Sequence, residues 1–276
     1  FYPDIHKLHN SFLMKDMDKT VDRILSTISD KKTILIFGDY DVDGITSTSF
    51  LTLFFRSIGI DAQYYIPSRS QEGYGLSKKG IQYAHYIGAD ILITCDCGIN
   101  SFEEIVYANE LSLDVIITDH HKPAGLLPEA FSVINPHRQD CTYPFKGLCG
   151  AGVVFKLALG ICDKGNFNSK YVWQNADLVT LGIAADLVPI IEENRIIVHY
   201  GIKQMTNQTN PGLTALLKTG NLWGKDITIG KLIFWIAPKI NAAGRLGDAS
   251  RAVKLLTTQN SVFAMEIAHE LEKENN

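Results

Sequence analysis

Short, continuously apolar runs alternate with longer amphipathic stretches through the first half of the chain. Ile34-Leu35-Ile36-Phe37, Ile91-Leu92-Ile93 and Val115-Ile116-Ile117 contain no polar alternation, which is the pattern of strands covered on both faces. Together with flanking segments they predict strands over 33–38, 62–66, 91–94, 115–118 and 132–134. Helical periodicity fills the gaps at 17–29, 45–58, 77–87 and 102–110. Ser101-Phe102-Glu103-Glu104 matches a capping box, in which Ser and Glu satisfy each other's free backbone N–H groups. Strands alternating with helices predict an α/β fold, a mostly parallel sheet flanked by helices.

The pattern changes after Gly150. Helices are expected over 153–161, 170–184, 193–205, 213–218, 249–256 and 261–274, with no strand between them. Asn210-Pro211 places a cap and a first-turn proline at one helix start. The first residues, Phe1-Tyr2-Pro3-Asp4, read as a cut inside a longer chain, and the polar helix at the other end reads as still running.

Composition narrows the class. The 276 residues are 46% hydrophobic and 20% charged, as in an ordinary soluble domain. No apolar run approaches the ~18 residues of a membrane span, so a cytoplasmic protein without a membrane partner is expected. Cys95, Cys97, Cys141, Cys149 and Cys162 are odd in number and irregular in spacing. That excludes a disulfide framework and a zinc pair, and fits buried thiols in a reducing compartment. The formal charge is −4, unevenly spread. Residues 217–256 carry seven basic and two acidic side chains, a local +5 against −9 elsewhere. Bound cations would offset the acidic remainder, so net charge does not exclude nucleic acid.

The chemistry concentrates where apolar strands end. Three of them deliver an aspartate at their carboxyl ends: Asp39, Asp96 and Asp119. In open parallel sheets those ends line one crevice. Carboxylates gathered there disfavour each other's ionisation, and a cation removes that cost. Asp39-Tyr40-Asp41-Val42-Asp43-Gly44 is densest; read as an extended segment, its acids point to one side before Gly44 turns into a helix near Ile45. An EF-hand is excluded because the closing glutamate is missing. Asp119-His120-His121 adds one imidazole for a metal and a second for substrate, and Asp186 sits at an otherwise apolar helix end, where a buried acid needs a partner. Mixed carboxylate and imidazole ligation suits manganese or magnesium.

Asp41-Val42-Asp43-Gly44, Asp96-Cys97-Gly98, Asp119-His120-His121 and Asp186 together resemble the four ordered motifs of the DHH phosphoesterases. Further stretches resemble the branch of bacterial single-strand-specific exonucleases: Phe12–Met17, Pro67-Ser68-Arg69, Gly73-Tyr74-Gly75-Leu76, Asn135-Pro136-His137, Leu148–Gly152 and Lys239–Arg245. The resemblance implies two divalent cations, Mn2+ first and Mg2+ second. It assigns Asp41 and Asp96, with Asp39, to one site, and Asp43, Asp96, His120 and Asp186 to the other, Asp96 bridging. Some relatives carry a histidine where Phe37 stands here. His121, Arg69, Arg245 and Asn241 are implied to meet substrate phosphate. The implied reaction is 5′-to-3′ release of nucleotides from single-stranded DNA in repair and recombination, and the implied protein partners are a single-strand-binding protein and a helicase. The expected division is a catalytic domain over 1–205 and, over 206–276, a helical extension beginning a connector to a second domain. Two competing functions are a small-substrate phosphoesterase, for short oligonucleotides, cyclic dinucleotides or pyrophosphate, and an inactive replication scaffold.

Overall fold

The computed structural model describes residues 3–207, 210–245 and 248–275. Five strands, β1 (Thr33–Gly38), β2 (Gln63–Tyr65), β3 (Ala89–Cys95), β4 (Asp114–Thr118) and β5 (Ser132–Ile134), form one sheet in the order β2-β1-β3-β4-β5. Every pairing is parallel, with Ile36 opposite both Tyr64 and Ile93. Both faces are covered. Ile34, Ile36, Ile91, Ile93, Ile116 and Ile134 pack into one core, against helices α1 (Met17–Ser29) and α2 (Val42–Ser57) among others. Leu35, Phe37, Leu92, Val115 and Ile117 point the opposite way, toward α3 (Lys78–Tyr86) and α4 (Phe102–Glu110). The continuous apolar runs thus have the expected cause.

Helix α2 is buried on all sides, although it contains Thr46, Ser47, Thr48, Ser49 and Thr52. Four of these hydroxyls are satisfied locally: Thr46 donates to Asp43 O, Thr48 to Gly44 O, Ser49 to Ile45 O and Thr52 to Thr48 O. Back-bonding of this kind lets a hydroxyl-rich helix occupy an interior. Its other faces meet α5 (Gly150–Gly165) and α6 (Ala176–Ala185).

Beyond them lie α7 (Glu192–Asn207), α8 (Pro211–Thr219), a helix α9 over 229–245, α10 (Ser250–Thr257) and α11 (Ser261–Asn275). No strand follows Ile134 among the described residues. Asn210 caps α8 through Gly212 N and Leu213 N, as the Asn-Pro pair predicts. Helix α9 has no counterpart in the sequence reading, because Gly230 and Pro238 look like breakers. Its turn at Leu232–Ile236 is π-wound, with Ala237 N bonded to Leu232 O, and this wider turn lies just before the proline that cannot donate. The segment expected as one helix over 170–184 is two, Lys170–Trp173 and Ala176–Ala185, with non-helical Asn175 between. The capping box at Ser101 does not form. Its side chain caps nothing, and its N–H already donates to Gly98 O, so Glu104 has no donor to reach. All five cysteines are buried and free. No described helix is long and apolar enough to cross a membrane.

A Cβ on Gly212 would stand 2.0 Å from the Leu255 backbone oxygen, where α8 meets α10. Gly212→Ala should therefore destabilise the fold by about 1–3 kcal/mol, although alanine is the better helix former by ~1 kcal/mol. Urea unfolding measures it, and a stabilised variant would show that the two helices are free to part.

Candidate metal centre

The chain leaves β1 toward one face of the sheet, through α2, and leaves β3 toward the other, through α4. That divergence opens a crevice at the carboxyl ends of two adjacent strands. The three strand-end acids are pinned there by one further rung of the ladder: Asp39 N donates to Cys95 O, Asp96 N to Thr118 O and Asp119 N to Ile134 O. Asp39, Asp96 and Asp119 are all buried. Asp96 adopts φ 63°, a left-handed conformation that Asp tolerates better than most residues. Directly against it stands Gly150, where a Cβ would lie 2.6 Å from Asp96 Cβ.

The dense acidic stretch is organised differently from its sequence reading. Helix α2 starts at Val42 rather than near Ile45, because Asp41 caps it by accepting from Gly44 N at 2.9 Å. Asp43 is therefore in the first helical turn, not on an extended segment. Gly44 serves close approach rather than a turn, since a Cβ there would meet Asp39 O at 2.6 Å. The Asp43 carboxylate receives Gly150 N at 2.6 Å and Ala151 N at 2.9 Å, the free amides at the positive end of α5.

His120 reaches into the same space. Its Nε2 lies 3.1 Å from Asp96 Oδ1, 3.6 Å from Asp186 Oδ2 and 3.9 Å from Asp43 Oδ2. Asp186 is the C-cap of α6. Asp119 has a different task. It accepts from Ile99 N, His120 N and His121 N and holds His121 Nδ1 at 2.7 Å, so it orients the histidines and has little capacity left for an ion. His121 is half-exposed, with Nε2 3.3 Å from the Tyr74 hydroxyl.

Three groups result, each with its donor atoms within 4.8 Å of one another: Asp39, Asp41 and Asp96; Asp43, His120 and Asp186; Asp96, His120 and His121. Among the described residues, Asp39 Oδ2, Asp96 Oδ1 and His120 Nε2 are buried without a hydrogen-bond partner. Such atoms are costly unless something binds them. Burial, then Asp41, pushes the Asp39 carboxyl up to about 7. Burial, with Asp186 and Asp41 nearby, pushes Asp43 up to about 7. Asp186 rises to about 6 from burial and Asp41, and Asp96 is held well above the carboxylate range by burial and Asp43. Burial lowers His120 to about 4, leaving a neutral imidazole able to ligate. Unpartnered oxygens, a neutral imidazole and carboxyls that resist ionisation are the complement of a divalent cation, and the donor set is that of manganese or magnesium.

The remaining expected residues divide. Phe37 is fully buried on the opposite face, stacked on Tyr65 at 5.6 Å, so that position contributes nothing to the crevice. Exposed Arg69 stands over the Tyr40 ring at 5.4 Å. Tyr40 meets Tyr74 edge-on at 6.4 Å, and Tyr74 meets His121 at 6.1 Å, making an aromatic rim from Arg69 to the histidine. Asn241 lines a cavity of about 180 Å3 with Asp41, Asp43, Asp186 and Leu187. The Arg245 side chain lies outside the described residues. Sequence reasoning missed Tyr40 as part of the rim, the role of Asp119 and the amides of Gly150 and Ala151. Tyr74 and Gly150 did stand in motifs that it singled out.

Comparison with known proteins adds a lineage to this geometry. Residues 33–183 match the DHH family, N-terminal domain. The single-stranded-DNA-specific exonuclease RecJ of Bacillus subtilis (strain 168) is 40% identical over 273 residues, covering 97% of this chain and 33% of that protein. Its namesake from Escherichia coli (strain K12) is 37% identical over 273 residues, covering 95% of this chain and 47% of that one. The chain thus spans less than half the length of either relative. A crystal structure of exonuclease RecJ bound to manganese superimposes with a TM-score of 0.87 at 30% identity, covering 99% of this chain and 67% of the other.

The raised carboxyls have a consequence for stability. Each binds its proton more tightly folded than unfolded, so between about pH 4 and pH 7 the folded state holds more protons, and stability falls as pH rises. Metal-free protein should melt at a lower temperature at pH 8 than at pH 5. Millimolar Mn2+ should restore about 5 °C or more at pH 8 and far less at pH 5, where protons compete. Melting that ignored both pH and metal would rule out a cation centre here.

Proposed function

The chain belongs to the DHH family, and from that premise we propose that it is the catalytic part of a metal-dependent exonuclease that removes nucleotides stepwise from the 5′ end of single-stranded DNA. The observation that carries the reading is the convergence of two donor groups, Asp39–Asp41–Asp96 and Asp43–His120–Asp186, around unpartnered Asp96 Oδ1. In this reading the first group holds one divalent cation and the second holds another. Asp96 would serve both, since it belongs to the first group and lies 3.1 Å from the imidazole of the second. Mn2+ is the favoured ion, with Mg2+ able to substitute. Two cations so held would polarise a phosphate and acidify the attacking water.

The chain's own side chains then bind and orient the substrate. Asp119 keeps Nδ1 of His121 occupied and raises its affinity for a proton. The imidazolium so favoured faces the crevice mouth and can meet the non-bridging oxygens of the scissile phosphate, where charge accumulates. Arg69 supplies a second cationic group at the rim, on a Tyr40–Tyr74 platform suited to an unpaired base or sugar. Asn241 offers amide donors from the cavity wall, and Arg245 follows on the same helix. Preference for single strands rests on the kinship with single-stranded-DNA-specific exonucleases, and 5′ polarity on the motif resemblance alone.

The test uses a 5′-phosphorylated single strand with Mn2+ as the only divalent ion. Mononucleotides should appear from the 5′ end, and Asp96→Asn should slow release by on the order of a thousandfold. A dinucleotide cleaved faster than the long strand would place the chain among small-substrate enzymes instead. His121→Ala should retain both manganese affinities while losing turnover by about 100-fold or more. Loss of metal from that variant would make His121 a ligand.

A further inference from the structure

We infer that Asn194 is a positioning residue for the Asp43–His120–Asp186 group; the inference rests on the two-cation reading above. Asn194 lies in the first turn of α7 and is fully buried. The carboxamide bridges two separate loops. Its Nδ2 donates to Gly147 O at 2.6 Å and to Pro189 O at 3.0 Å.

Each of those loops carries the support of a proposed ligand. Directly after Gly147, the Leu148 backbone lies against the His120 ring, which leaves the unpartnered Nε2 facing the carboxylates. Two residues further, Gly150 N and Ala151 N grip both oxygens of Asp43. Pro189 stands three residues after Asp186, on the far side of Leu187, whose φ is 56°. One NH2 group therefore sets the spacing between the segment behind His120 and Asp43 and the segment behind Asp186. Outer residues that orient ligands in this way govern how well a site matches its ion.

The chemistry explains why an amide occupies this place. Two carbonyls must be met by two donors from one short side chain, and the Asn NH2 supplies both. Aspartate would offer only acceptors, and leucine would leave both carbonyls unpaired in the interior. The other amide atom, Oδ1, has no hydrogen-bond partner among the described residues, so the NH2 group is the half that earns the position. Adjacent Glu193 is also buried but engages His9 N, Lys156 Nζ and the Tyr143 hydroxyl. It anchors the helix rather than the Asp186 loop.

Manganese titration calorimetry on the chain, alongside metal-free melting, tests this. The unmodified chain should bind two Mn2+ ions. Asn194→Ala should retain one affinity and weaken the other by roughly 10- to 100-fold. Asn194→Ser, which keeps one donor, should fall between, and it carries the test if the alanine variant does not fold. Asn210→Ala, at the cap of α8, should lower the metal-free melting temperature while leaving both affinities intact. Two unchanged affinities in the Asn194 variants would overturn the assignment, as would equal weakening by Asn210→Ala. If the unmodified chain binds fewer than two ions, the two-cation reading itself fails, before any substitution is made.

Discussion

Four aspartates, Asp39, Asp43, Asp96 and Asp119, are buried within one small volume, and among the described residues none is paired with a lysine or arginine. Like charges in a medium of low polarity repel strongly, so a fold that gathers them must neutralise, solvate or bind them. Backbone amides do much of this. Asp119 takes three N–H groups and an imidazole, Asp43 takes two N–H groups from a helix end, Asp41 takes one and Asp39 one. Asp96 keeps an unpartnered oxygen. The acids with the fewest donors surround the space that a cation would fill. The same gradient separates acids that build the site from acids that would work in it.

Much of the surrounding architecture follows from delivering those amides. Helix α5 must place its first turn against Asp96, and only a residue without a Cβ fits at Gly150. Helix α2 must begin at Asp41 and press its first turn onto Asp39, which requires Gly44. With both helix starts fixed, α2 runs through the middle of the core, and its hydroxyls bond back to their own backbone. The basic excess of 217–256 is partly consumed in packing. Lys239 is buried against Glu272, and Arg251 pairs with Glu270 and Glu274 on α11. Among the described residues Lys239 and Arg251 are therefore committed to packing, and the proposed reaction draws on the cationic groups at the crevice rim for phosphate recognition.

What was legible in the sequence follows from which atoms do the work. Strands buried on both faces announce themselves as apolar runs, and acids at their ends are visible because side-chain chemistry is written in residue identity. Hence the sheet and the grouping of Asp39, Asp41, Asp43, Asp96, His120 and Asp186 could be anticipated. Main-chain donors are not so written. Nothing around Gly150 states that its N–H meets an acid 107 positions earlier, and nothing around Asn194 states that it spans two loops. Local rules also mislead when tertiary bonds compete. Ser101 has the residues of a capping box but has already spent its N–H on Gly98, and Pro238 sits inside a helix because a widened turn precedes it.

The adjacent histidines show how one anchor can produce two chemistries. Asp119 binds the backbone N–H of both, so the chain is fixed as it leaves β4, and consecutive side chains project in different directions. His120 turns inward, where burial strips water from its ring and disfavours the charged form. His121 turns toward the mouth, where its hydrogen bond to the Asp119 carboxylate favours the charged form. Opposite protonation preferences on neighbouring residues thus arise from one carboxylate and a difference in depth. A neutral imidazole is what an ion requires, and an imidazolium is what a phosphate requires. The two side chains are chemically identical, so it is depth and the Asp119 contact that divide the roles, a physical reason independent of kinship.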